Sequence, residues 1–383
     1  MGTEKGERAL RICFVIAFRS CGGAERASGE LASTLAELGC NVHFVVRTGT
    51  DLDYPIDRRV TIHEVAPGRD IRSGSMGLRA FAAAILTARE ILRIKPDVVV
   101  PFLPWAEFAV LCASLISRPA IVSTVRNDPA IHPRSRFLRF CKDRFCGHAD
   151  LIYVQNEDQA GYFPKPWRDR ILVLPNLIGR EFFRIAPHAG PVRKFIAAGR
   201  LELQKNHAMM VRAFANAAAM LPDADLRLDI FGEGQLRSDL ESLIRELGME
   251  GRITLRGFSP DIASEYASAD AFLLSSDFEG QPNALMEAMA AGLPCISTNC
   301  PGPSGLIRDG IDGILISCGD VSAMAGAISA FAADPAKPRE MGRSARARVD
   351  GMCGRERIGA EFIEGCRQAV ESRRRRSSGR QTQ

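Results

Sequence analysis

Several kinds of chemistry are missing from this sequence. Its eleven cysteines include no Cys-x-x-Cys pair, which removes the usual zinc-ribbon and thiol-exchange motifs and points to reduced thiols rather than a disulfide framework. Cys141, Cys146 and His148 come nearest to a metal cluster, yet no fourth ligand follows them, so they read as ordinary helix residues. Apolar runs such as 81–86 and 108–116 fall short of the ~20 residues that span a bilayer. Residues 1–10 are too polar for a signal peptide. The expected location is therefore the cytoplasm.

Excess charge is missing too. The 50 basic and 45 acidic residues leave a net charge of +5, and Arg373, Arg374, Arg375, Arg376 and Arg380 account for all of it. The body is neutral, which argues against a nucleic-acid partner. The Ser-, Arg- and Gln-rich end is expected to be a disordered, solvated tail. Its other use would be contact with anionic lipid, where each basic residue contributes about 1 kcal/mol.

What is present is length and alternation. At 383 residues the chain exceeds the size at which one core stops growing, so two domains are expected. Strand-like runs at 12–18 and 42–46 enclose a glycine turn and a helix over 24–38 that Gly39 stops, a βαβ unit of a parallel sheet. Further runs follow at 98–100, 120–125 and 151–154. The second half repeats the scheme with runs at 195–198, 226–231, 253–255, 271–274 and 295–297. The predicted fold is α/β, two doubly wound Rossmann-like domains facing across a cleft, with ligands outside the carboxyl ends of the strands. The expected division is an N-terminal acceptor-side domain over 1–185, a C-terminal donor domain over 186–355, and a helix with a basic tail over 356–383. Residues 180–194, with Pro187, Gly190 and Pro191, read as the linker.

Four loops at predicted strand ends carry polar and glycine residues that a core does not require. Gly22 and Gly23 precede the first helix and would let backbone N–H groups approach an anion, although their spacing is not the dinucleotide fingerprint. Arg200 and Lys205 flank a strand-to-helix loop and could hold two phosphates by charge-assisted hydrogen bonds. Gly232 in Phe-Gly-Glu-Gly, and Gly257-Phe258 beyond the next strand, suit close approach of a base or ribose. Each of these loops alone also has a plain structural reading. The fourth, residues 275–283, is mostly polar or acidic and leads into a helix that Pro282 or Asn283 starts. Glu279 precedes that helix and Glu287 lies within it. Carboxylates beside phosphates repel unless they accept hydroxyl protons, and sugars and riboses supply such hydroxyls.

The Glu-x7-Glu spacing of Glu279 and Glu287, within Phe-Glu-Gly-Gln-Pro-Asn-Ala-Leu-Met-Glu, resembles the signature of the retaining glycosyltransferase family 4, whose fold is GT-B. Gly-Gly-Ala-Glu-Arg (Gly22 to Arg26), Pro175-Asn176, Gly-Arg-Leu with Lys205-Asn206, and Phe-Gly-Glu-Gly resemble motifs of that family in the same order, from about residue 12 to 331. The resemblance implies a retaining hexosyltransferase that uses a UDP- or GDP-sugar and a glycan or polyprenyl-linked acceptor. It implies that Arg200 and Lys205 bind the donor diphosphate, Glu279 the sugar hydroxyls and Glu287 the ribose. Gly280, Gln281, Pro282 and Asn283 would complete the pocket, with Gly22 and Gly23 opposite.

No metal or other cofactor is expected. Asp51-Leu52-Asp53 and Asp223-Ala224-Asp225 have the spacing of a metal–diphosphate motif but read as surface turns. One departure from the family stands in Ser-Thr-Val-Arg-Asn-Asp, where Arg126 replaces an expected histidine and is taken as an acceptor-side catalytic residue. Arg126-Asn127 and Asn299-Cys300-Pro301-Gly302 resemble a branch that builds bacterial surface polysaccharides or lipid-linked glycans. Residues 134–144 alternate arginine with phenylalanine and would suit an anionic membrane, or a helix packed on the first domain. A nucleotide-sugar 2-epimerase of the same fold and a non-enzymatic nucleotide-binding module are the competing readings.

Overall fold

In the computed structural model, residues 8–16, 23–47, 56–65, 76–102, 104–133, 135–186 and 190–379 are described. Runs rich in Val, Ile, Leu and Phe form parallel strands buried on both faces. They make two sheets. The first contains β1 (Arg11–Ile16), β2 (Asn41–Arg47), β3 (Thr61–Val65), β4 (Val98–Pro101), β5 (Ala120–Thr124), β6 (Leu151–Val154) and β7 (Ile171–Val173), in the order β3-β2-β1-β4-β5-β6-β7. The second contains β8 (Lys194–Ala198), β9 (Arg227–Phe231), β10 (Ile253–Gly257), β11 (Ala271–Leu274), β12 (Cys295–Thr298) and β13 (Ile314–Ile316), in the order β10-β9-β8-β11-β12-β13. Both orders reverse beside their first strand, as in doubly wound folds.

The chain forms two units, Met1–Leu177 with Gly354–Gln383, and Ile178–Cys353. In unit 1, right-handed crossovers sort the helices by the direction in which the chain moves along the sheet. Helix Gly23–Glu37 covers one face. Helices Met76–Ile94, Pro104–Ser114 and Arg136–His148 cover the other, with Ile91, Val110 and Phe145 in a common core against Val15 and Val99. In unit 2, helices His207–Met220, Arg237–Glu246 and Val321–Ala333 bury one face around Phe214 and Leu228. Helix Asn283–Ala290 packs the other face around Phe272 and Met286.

The division differs from the sequence expectation in three ways. The first crossing falls at 177/178 rather than 185/186, because helix Arg180–Phe183 buries Phe182 in the core of unit 2. The expected linker is thus partly core, and Arg339 Nη2 ties Gly190 O at 2.7 Å. The last segment returns to unit 1. Helix Arg355–Gly379 lays Ile358, Phe362, Cys366 and Ala369 on the face shared with Gly23–Glu37. Finally, the expected disordered tail is helical through the arginine run. Arg373 Nη1 and Arg376 Nη1 approach the fully buried Asp150 carboxylate at 3.4 and 3.5 Å, which gives two of the run's charges a structural role.

Candidate functional site

The site builds from loops at the carboxyl ends of the strands of unit 2. After β8 the chain turns through Gly199 to Lys205, and Asn206 adopts a left-handed backbone (φ 45°). Its side-chain oxygen accepts from Met209 N, capping helix His207–Met220, and its amide donates to Asp277 at 2.9 Å. Short side chains with a carbonyl suit both tasks. The loops interlock: Gly199 N donates to Phe231 O, Leu201 N to Glu233 O and Gly232 N to Gly257 O. A side chain at Gly232, where φ is +133°, would place its Cβ 2.0 Å from Gly199 O. Glycine is therefore required for two strand ends to touch.

The loop after β11 is fixed against the loop after β8. Asp277 N donates to Gln204 O at 2.9 Å, Gln204 Nε2 to Phe278 O at 2.8 Å and Ser275 Oγ to Lys205 O at 2.8 Å. These bonds bring Lys205 Nζ to Glu279 Oε1 at 2.5 Å, and Ser276 Oγ donates to the same oxygen at 2.7 Å. Both ion-pair partners are largely buried. Thr298 Oγ1, at the end of β12, donates to Ser276 O at 2.6 Å. Gly302 closes the surround, since a Cβ there would sit 2.6 Å from Gly280 O.

Among the predicted residues, Lys205 and Glu279 meet directly. Gly280, Gln281, Pro282 and Asn283 are buried beside them, and helix Asn283–Ala290 begins there with Pro282 as its cap residue. Glu287 is buried in that helix and is its one charged residue. Arg200 is not drawn into the pair. Its guanidinium is 57% exposed and binds Glu202 Oε1 at 2.9 Å. Gly232 lies in the neighbouring loop, and Phe258 is exposed after β10. In unit 1, Gly23 opens its helix, whereas Gly22, Asp51 and Asp53 lie outside the described residues. Asp223 and Asp225 sit in an exposed turn, as expected. Among the described residues no group of three or more His, Cys, Asp or Glu side chains could hold a metal ion.

Arg126 is clamped. Its guanidinium lies over the rings of Phe102 and Tyr153, 4.6 and 4.3 Å from their centroids, and Nη1 donates to Asn176 at 2.8 Å. Such a cation is held in one orientation by ring faces.

Sequence reasoning passed over several neighbours of the site. Ser276 and Thr298 are small polar residues at the ends of apolar strands, which was the available signal. His207, next to Lys205-Asn206, is buried, and burial followed by the Lys205 ammonium pushes its imidazole down to about 4. Cys300 is pushed up to about 12 by burial, then by the Glu279 and Cys318 charges. The arrangement offers one cation and one carboxylate, fixed at a water-poor loop junction among close-approach glycines, next to a helix start. That combination can hold a diphosphate and a hydroxylated group together.

Comparison with known proteins agrees with this chemistry. The family described as Glycosyl transferases group 1 matches residues 180–348, and the Glycosyl transferase 4-like domain matches 22–177. The chain is 26% identical over 363 residues to the lipopolysaccharide core biosynthesis glycosyltransferase LpsE of Rhizobium meliloti, covering 91% of this chain and 96% of that one. It is 28% identical over 326 residues to a Campylobacter jejuni alpha-1,4-N-acetyl-D-galactosaminyltransferase acting on a PP-undecaprenol-linked glycan, covering 82% and 87%. Anabaena HepE, solved in complex with UDP and glucose, aligns with a TM-score of 0.80 at 18% identity, covering 93% of this chain and 98% of that one.

Proposed function

The chain belongs to the group 1 glycosyl transferases, and from that premise we propose that it is a retaining hexosyltransferase using a UDP- or GDP-sugar and a lipid-linked glycan acceptor. The observation that carries the donor half is the Lys205–Glu279 pair, set by interlocked loops among glycines that admit no side chain. Lys205 and Arg200 neutralise the leaving diphosphate, and Arg200 swings from Glu202 to do so, since an exposed ion pair of this kind contributes little. No metal is needed in this scheme. Glu279 accepts from hydroxyls of the transferred sugar and Glu287 from the ribose, while Gly280 to Asn283 line the sugar and phosphates. The fixed charges act where the anomeric bond breaks and negative charge builds on the departing phosphate.

On the acceptor side, Arg126 serves in place of histidine as an oriented cation. The relatives act in lipopolysaccharide core assembly and on a PP-undecaprenol-linked glycan, which supports a lipid-linked acceptor. They are transferases, which favours transfer over 2-epimerisation.

Two measurements test the reading. Nucleotide screening by thermal shift should single out UDP or GDP by a raised melting temperature, and Arg200→Ala should weaken that effect. Proton NMR of the first product should show the donor's own anomeric configuration. An inverted product would sink the retaining assignment.

A further inference from the structure

Unit 1 carries a surface layer that a domain surrounded by water does not need. Helices Met76–Ile94, Pro104–Ser114 and Arg136–His148 stand side by side on one face of its sheet, each with one side in the shared core. Their outer sides should be polar. Instead Phe81 and Ile85, Phe108 and Leu111, and Phe137 and Phe140 are exposed. Each pair is spaced three or four residues apart, so its members stack along one outer face. Leu115, 82% exposed, extends the second stripe.

Helix Pro104–Ser114 makes the point most sharply. Its only charged residue, Glu107, is buried and paired with Lys142 of the adjacent helix. A helix apolar all round is normally enclosed by protein or lipid, and this one lies in the outer layer.

The charge around the layer selects the partner. Helix Arg136–His148 carries Arg136, Arg139, Lys142 and Arg144 against one acid, Asp143, which accepts from Tyr162 Oη at 3.0 Å. Arg139 is used locally on Ile131 O and Pro133 O, and Lys142 on Glu107. Arg136 and Arg144 remain exposed beside Phe137, itself 71% exposed, and Phe140. Apolar side chains flanked by cations match the acyl boundary and phosphates of an anionic bilayer. A second copy of the chain would bring these arginines against their own kind, a repulsion that lipid phosphates remove.

We propose that this three-helix face docks unit 1 on bilayers containing anionic lipid, with the phenylalanines in the headgroup–acyl boundary and Arg136 and Arg144 on lipid phosphates. The proposal deepens the reading of a lipid-linked acceptor by naming the surface that meets the lipid. Phe137 and Phe140 occupy the first turns of their helix, which follows β5 at the sheet end where Arg126 stands. The docked end is thus the end that an acceptor head group would enter.

The test is sedimentation of the full chain with vesicles of phosphatidylglycerol and phosphatidylcholine, and with vesicles of phosphatidylcholine alone. Binding should be at least about tenfold stronger with phosphatidylglycerol and should weaken with salt. Phe137→Ser with Phe140→Ser, and separately Arg136→Glu with Arg144→Glu, should each reduce it by about tenfold or more while the melting temperature holds. Wild-type protein that binds neither vesicle, or variants that bind like the wild type, would overturn the proposal. So would a wild-type dimer, seen by sedimentation equilibrium, that the phenylalanine variant splits without any vesicle binding. Vesicle binding requires neither donor nor turnover, so failure of the transferase reading would leave this result intact, and the reverse also holds.

Discussion

Lys205 and Glu279 form a buried ion pair, and such pairs are costly to break from one side because the remaining charge stays uncompensated. Lys205→Ala should lower stability by about 3 kcal/mol, read by urea unfolding, and the double variant with Glu279→Ala should lose less than the two singles together. Additive losses would mean that the pair is incidental. Gly232→Ala meets both a positive φ and a carbonyl 2.0 Å from its Cβ, so it should destabilise unit 2 by about 3 kcal/mol. A variant as stable as the wild type would show that the loops after β8 and β9 can part.

His207 gives a pH signature. Its imidazole lies at about 4 against an ordinary 6.5, so the unfolded chain takes up a proton that the folded chain refuses. The stability this gives is present above about pH 6.5 and is lost as pH falls toward about 4. Melting temperature should drop over that window, and His207→Leu should flatten the slope; equal slopes would contradict the assignment. At this scale the sequence exposed the charged members of the site. Glu279 and Lys205 are ionisable groups in strand-end loops, and Glu287 is the one carboxylate in the helix that follows, where no core needs them. Ser276 lay in the polar loop the sequence marked but without a role, and Thr298 stayed hidden, because a small hydroxyl at a strand end looks the same whether it supports a carboxylate or faces water.

Among the elements, the C-terminal helix Arg355–Gly379 is the least expected. Its arginine run has the composition of a solvated tail, but the burial that decides its fate comes earlier, at Ile358, Phe362 and Cys366, and only long-range packing reveals where those residues go. Phe362 meets Tyr153 edge to face, with centroids 5.5 Å apart. Phe362→Ala should therefore cost about 3–5 kcal/mol, observed as a lower midpoint for the unit 1 transition. A helix that merely trails the domain would show no such loss. The strands missed in the sequence, β3, β7 and β13, are short and sit at sheet edges. Edge position exposes part of each, which removes the continuous apolar run that marks β1 or β11. The exposed apolar stripe of helix Pro104–Ser114 escaped for the opposite reason, since periodicity alone assigns any apolar face to the core, whereas the arginine–phenylalanine alternation over 134–144 already left a membrane face open beside a packed helix.

For the molecule as a whole, two doubly wound sheets were legible because strand, glycine turn and helix recur twice with little between them. The first crossing, at 177/178 rather than 185/186, and the return of the segment after residue 353 to unit 1 were not, because neither carries a break in composition. The central claim is that loops of unit 2, centred on Glu279 and Lys205, turn over a nucleotide sugar. The most direct measurement is release of UDP or GDP from a panel of nucleotide sugars by wild-type protein and Glu279→Gln. The account predicts release from at least one donor and a fall of about 100-fold or more in the variant, assayed below the lowered melting temperature that an uncompensated Lys205 gives it. Equal rates in the two proteins, or no turnover of any donor by the wild type, would contradict it.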